Sequence, residues 1–211
     1  LNSRVDPSSG LRPSVETSLH NLFQYRYVVH THSTLVNGLM CSNQAEEKTK
    51  ALFGDHVLYI PYSDPGFVLF KTIAEEIRQY HEKMQRDPHI VFIQNHGIFV
   101  AADTTEEIDH WYAEVKDTLQ NAFDDFPVFR EKGVSEKLTE VLPAIRIVLS
   151  GEKLKVATAF NSTAIESFIT SKEAFREGIS RPFTPDQMVY CLSEYLFIEN
   201  SGTTGEIIEE V

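Results

Sequence analysis

Two short apolar runs, Ile90-Val91-Phe92-Ile93 and Ile98-Phe99-Val100, bracket the polar segment Gln94-Asn95-His96-Gly97. Runs of this length, rich in β-branched and aromatic residues, suit strands buried within a sheet. Polar groups set between them are costly unless they find partners, so neighbours or a ligand must satisfy the interruption. Gly97 removes a side chain where the backbone bends or approaches something closely. Two readings of His96 follow. Either it sits in a bulge and bonds to the backbone, or the strand delivers it to a site.

A second histidine pair favours the site. Tyr27-Val28-Val29-His30-Thr31-His32 is rich in β-formers, and side chains two apart on a strand share a face. His30 and His32 therefore point together while Val29 and Thr31 face the other way. Neutral imidazoles that close share a cation well, whereas protonation makes them repel. Three histidines with an open fourth position suit catalytic zinc, and Mn2+, Co2+ or Fe2+ also accept imidazole. Upstream, Ser14 is an expected N-cap with Glu16 in the first turn and Leu19, Leu22 and Phe23 behind it. An acid there has an ordinary explanation in the helix dipole. Its company with the histidines makes Glu16 the candidate carboxylate of the site.

The rest of the chain alternates helix and strand. Helices are expected over 35–40, 44–53 (stopped by Gly54), 67–84 and the stretch behind Thr104 and Glu107, which can form a capping box. In the last of these, Trp111 reads as core and His110 as surface. A strand is expected over 56–60. From Pro127 the pattern is less regular. A helix near 134–142, a separate short run over 145–149, a strand over 155–159 and helical stretches around 163–176 are expected, then an apolar piece ending near Ile198. The expected organisation is one domain over 1–199, less regular over 126–199, followed by an acidic tail over 200–211.

Nineteen Lys and Arg against thirty-one Asp and Glu give a formal charge of −12, which disfavours nonspecific nucleic-acid binding. No apolar run has transmembrane length and no signal-peptide pattern opens the chain, so the expectation is a cytoplasmic location without membrane partners. Cys41 and Cys191 fit no Cys-x-x-Cys spacing and are expected to be reduced, packed thiols. No G-x-G-x-x-G or P-loop pattern occurs.

The ordered set Pro13-Ser14-Val15-Glu16-Thr17-x-x-His20, Val28-Val29-His30-Thr31-His32-Ser33 and Gln94-Asn95-His96-Gly97, followed by Asp103-Thr104-x-Glu106-Glu107, resembles the class II aldolase/adducin family. Within it, the segment from Arg12 to Leu22 and the Val57-Leu58-Tyr59-Ile60-Pro61-Tyr62 and Pro65-Gly66-Phe67 pieces resemble most the aldolase portion of bifunctional rhamnulose-phosphate aldolase/short-chain dehydrogenase proteins. The resemblance implies an α/β fold of three layers, α/β/α, around a mainly antiparallel central sheet. It implies a zinc held by His30, His32 and His96, with Glu16 transferring protons and Ser14 touching a substrate phosphate. The implied reaction is reversible aldol cleavage of a ketose 1-phosphate to dihydroxyacetone phosphate and an aldehyde, in a homo-oligomer, often a tetramer. Val15 stands where simple members carry a second serine. The upstream Gly-Asn and Ser-Gly segments of the phosphate pocket are not found, so the domain is expected to be N-terminally incomplete. The acid that a neighbouring subunit supplies in this family is a tyrosine, for which Tyr62, Tyr190 and Tyr195 are candidates. Other members are pentulose-phosphate 4-epimerases, a sugar-phosphate dehydratase or non-catalytic adducin-like modules.

Overall fold

Both apolar runs are strands, and the polar segment between them is a reversal. In the computed structural model, β3 (Ile90–Ile93) and β4 (Gly97–Ala102) form an antiparallel hairpin, so His96 is the last residue of a tight loop. The bulge reading is thereby corrected. Asn95 takes a left-handed backbone conformation, φ 57°, which asparagine tolerates better than most side chains, and this turns the chain.

The structure describes residues 6, 8–11, 14, 16–123, 130–198 and 202–211; the segment 2–12, whose Ser, Pro, Gly and Asp residues read as a loop in the sequence, falls partly outside them. The chain divides into two compact units, Leu1–Asp124 and Asp125–Val211. In the first, α1 (Thr17–His20) precedes β1 (Tyr27–Thr31), followed by α2 (Thr34–Met40) and α3 (Ala45–Phe53), which ends at Gly54. Next come β2 (Val57–Ile60) and α4 (Phe67–Met84), then the hairpin and α5 (Thr105–Ala122). The expected Thr104 and Glu107 capping box starts α5.

The sheet order is β1-β4-β3-β2. β1 with β4 and β4 with β3 are antiparallel, but β2 and β3 are parallel, so the sheet is mixed. The parallel pair is joined through α4, as a crossover requires. Side-chain alternation sends Phe92, Ile98 and Val100 to a face covered by α2, α3 and α5, where they meet Val36, Met40, Phe53, Val115 and Leu119. Val91, Ile93, Phe99 and Ala101 meet Leu19 of α1 and Leu69, Ile73 and Ile77 of α4 on the other. Helices on both faces make three layers, which is why β3 and β4 are buried throughout and apolar without alternation.

The second unit departs more from expectation. A single helix, α6 (Glu136–Ser150), runs through Pro143 and absorbs both the expected helix and the separate run. Proline removes one ladder bond but did not end a helix already started by the Ser135 cap. Residues 155–159 pair with no described strand, and Val156 is exposed; β-propensity gives a strand only where an edge is available. The remaining helices are α7 (Thr163–Phe168), α8 (Lys172–Gly178), α9 (Pro185–Cys191) and α10 (Thr204–Glu210). The last lies in the acidic segment, opens with a Thr203 and Glu206 capping box and packs on α6 with Ile207 buried. Cys191 is exposed rather than packed. No helix among the described residues is long and apolar enough to cross a membrane.

Phe92 has no solvent exposure and meets Phe53 edge to face, with ring centroids 5.3 Å apart. Phe92→Ala is expected to cost about 3–5 kcal/mol in urea unfolding.

Candidate metal centre

Glu16, His30, His32 and His96 converge, each offering one ligand atom, with all four atoms within 4.8 Å of one another. The elements deliver them differently. His30 belongs to β1, His32 is the first residue beyond it, His96 closes the β3–β4 loop and Glu16 is the N-cap residue of α1.

Ser14 is therefore not the cap of that helix. It stands two residues earlier, where its hydroxyl oxygen accepts from the Glu16 N–H at 3.2 Å and its carbonyl accepts from the Thr17 N–H at 3.2 Å. The Glu16 side chain makes no capping bond. Its carboxylate instead reaches the imidazoles.

His30 is held on both sides. Its Nδ1–H donates to the Ile98 carbonyl at 2.9 Å, and its ring stacks on Phe99 at 4.0 Å between centroids. An imidazole whose Nδ1 is committed in this way presents Nε2 to the site. Behind the pair, Thr31 faces the opposite side, as the two-residue period demands, and its hydroxyl meets Tyr112 Oη at 3.0 Å. His96 is 4% exposed, and its carbonyl accepts from Asn37 Nδ2 at 3.1 Å.

Gly97 makes the convergence possible. A Cβ built there would lie 2.5 Å from the Thr31 carbonyl oxygen and 2.9 Å from Cδ2 of His32. The first contact is with backbone and cannot be relieved by a rotamer change.

The donor set fits a divalent cation. His30 Nε2 and His32 Nε2 are 2.9 Å apart, and His96 Nε2 lies 2.9 Å from Glu16 Oε1. Each contact requires a proton between its heavy atoms. A cation would replace both protons with a modest opening, since ligands ~2 Å from a tetrahedral zinc lie about 3.3 Å apart. His30 Nε2 is also 3.5 Å from Glu16 Oε1. Hydrogen bonds from His30 and then His96 hold the Glu16 carboxyl well below the usual carboxylate range, outweighing its partial burial. That direction is opposite to the raised value expected of a proton-transferring acid, and it belongs to the metal-free arrangement, in which the imidazoles are free to donate.

The other candidates lie elsewhere or play supporting parts. Burial pushes the Cys41 thiol pKa up, which makes it a poor nucleophile. His110 is exposed, 3.8 Å from Glu114 on α5. Trp111 packs against the core and stacks on His89 at 5.0 Å. Tyr62 and Tyr190 are exposed and Tyr195 half-buried. Sequence reasoning did not single out Phe99, Asn37 or Tyr112 as supports of the site. Phe99 was visible only as one more apolar residue of its run, and nothing local to α2 or α5 marks the other two.

The family described as Class II Aldolase and Adducin N-terminal domain matches residues 2–123. Uncharacterized oxidoreductase YuxG of Bacillus subtilis (strain 168) is 24% identical over 210 residues, which cover 93% of this chain and 30% of that protein. The chain thus spans less than a third of the length of that relative. The solved N-terminal class II aldolase domain of a conserved protein from Thermoplasma acidophilum is 24% identical, with a TM-score of 0.43, over 52% of this chain and 48% of that one.

Gly97→Ala tests the close approach. It is expected to destabilise the metal-free protein by about 1–3 kcal/mol in denaturant titration and to weaken Co2+ binding, read from the d–d spectrum.

Proposed function

Because the chain belongs to the class II aldolase and adducin N-terminal domain family, we propose that it is a zinc-dependent aldehyde-lyase cleaving a ketose 1-phosphate. The products are dihydroxyacetone phosphate and an aldehyde. The observation that carries the reading is the four-atom convergence of Glu16, His30, His32 and His96, in which three imidazole nitrogens stand beside one carboxylate.

His30, His32 and His96 would hold the ion. When bound, zinc supplies Lewis-acid polarisation of a substrate carbonyl. The protein's own groups do the rest. Glu16 exchanges the proton on the carbon next to that carbonyl, taking it in the condensation direction and returning it after carbon–carbon cleavage. With the imidazoles committed to an ion, their hydrogen bonds to Glu16 would be released, while the cation's own charge would keep the carboxylate ionised and ready to accept a proton. Its side chain is 25% exposed, which leaves it open to substrate while the His30 and His96 side chains are 7% and 6% exposed.

Ser14 lies two residues from Glu16, is exposed, and accepts a hydrogen bond from the Glu16 N–H. The hydroxyl proton remains available to donate to a phosphate oxygen. That donor supports the assignment of Ser14 to substrate binding. In a homo-oligomer, tetrameric in the family, a tyrosine of a second copy completes the acid–base set.

Zinc stoichiometry, product analysis and two kinds of variant test the proposal. His30→Ala, His32→Ala and His96→Ala are each expected to lose metal and activity together. Glu16→Gln should keep the metal and lower kcat by about 10²–10⁴. Metal-stripped protein that cleaves ketose 1-phosphates as fast as the loaded form would overturn the mechanism, and an isomer formed without release of aldehyde would make the enzyme an epimerase.

A further inference from the structure

We propose that Asn37 is a positioning residue for the third imidazole, fixing from α2 the carbonyl of His96 and so the direction in which its ring enters the metal site. The inference rests on the metal-site reading of Glu16, His30, His32 and His96.

Two of the site's imidazoles, those of His30 and His96, are aimed by different means. A metal-ligating histidine usually commits its second ring nitrogen to an acceptor, which sets the ring plane. His30 does so, through Ile98 and the Phe99 stack. The ring of His96 makes no hydrogen bond to a described residue other than the one to Glu16. Its aim therefore depends on its backbone. That backbone lies in a tight loop beside a left-handed residue, Asn95, and is held from outside at each position. Gln94 N–H donates to the Ile60 carbonyl at 3.0 Å, Asn95 N–H to the Met40 carbonyl at 3.1 Å, and the His96 carbonyl accepts from Asn37 Nδ2 at 3.1 Å. The last bond alone acts on the ligand residue's own carbonyl and alone comes from a side chain, so it can be removed by substitution.

The other half of the same amide argues against a purely structural role. Asn37 Oδ1 is buried with no hydrogen-bond partner, and an unpaired buried acceptor lowers stability. A leucine would remove that penalty but leave the His96 carbonyl without its donor, and the two effects oppose each other in stability. Stability and metal affinity should therefore separate at this position. Asn37→Leu removes the donor to His96 along with the orphan acceptor, whereas a residue acting only through the fold would change both quantities in the same direction.

The test uses the metal-stripped chain titrated with Zn2+ and Co2+, thermal unfolding of the stripped proteins, and imidazole 1H–15N spectra in which His96 is assigned from His96→Gln. For Asn37→Leu, with Asn37→Ala as the second variant, affinity is expected to fall on the order of 10- to 100-fold. The cobalt d–d bands and the His96 resonances should shift, while the Tm of Asn37→Leu stays close to that of wild type. Affinity and His96 resonances unchanged in both variants would overturn the proposal, as would loss of the folded state in both, because Asn37 would then be a residue of the fold. Wild-type protein that binds neither ion would instead refute the metal reading. The His96 resonances of the stripped proteins would then decide on Asn37 by themselves.

Discussion

The site depends on the approach of β4 to the end of β1. His30 pairs with Phe99 and Thr31 with Ile98, so Gly97 at the start of β4 lies against the Thr31 carbonyl and the His32 ring. The register decides which side of β1 faces the site. A slip of one residue would turn His30 away and present Thr31 instead. The apolar residues of β4 lock that register, because Phe99 and Ala101 must face α4 while Ile98 and Val100 face α2 and α5. Packing of the core thus sets ligand geometry several residues away.

The electrostatics are local. A formal charge of −12 says little about a cluster in which one carboxylate oxygen is shared by two imidazoles at 2.9 and 3.5 Å. Removing those nitrogens from water makes charge on them expensive unless it is compensated. Glu16 accepts from His30 and His96, and this is why its carboxyl is held low. Under the proposed function, a cation held by the three imidazoles would take over the nitrogens that now bond to this carboxylate.

How far the site was legible depended on whether each signal was local. The two-residue period of a strand placed His30 and His32 together, and the opposed Thr31 confirms it by turning to Tyr112. The company of Glu16 with the histidines was readable as a motif, but its position as the N-cap residue was not, since Ser14 is an equally good local cap. The hairpin was misread because two buried strands joined by a tight turn look like one interrupted strand when neither alternates. The Asn95 and Gly97 pair was the available turn signal. In the second unit Pro143 and the 155–159 segment show the other limit. A local helix breaker yielded to a capped helix, and a local strand former found no edge to join.

All four residues of the candidate site stand where secondary structure ends or sits at an edge: a cap residue, an edge strand, the residue just past it, and a turn. The buried middle of the sheet cannot supply them. β3 is enclosed on both faces and paired on both sides, so a charged side chain there would have neither water nor a route for substrate. At the ends of elements the backbone is free of ladder obligations, and side chains can turn toward one point. That freedom has to be removed again if the site is to hold one geometry. Here the Ile98 carbonyl, the Phe99 ring and the Asn37 amide remove it, each from an element whose own position is fixed by the core.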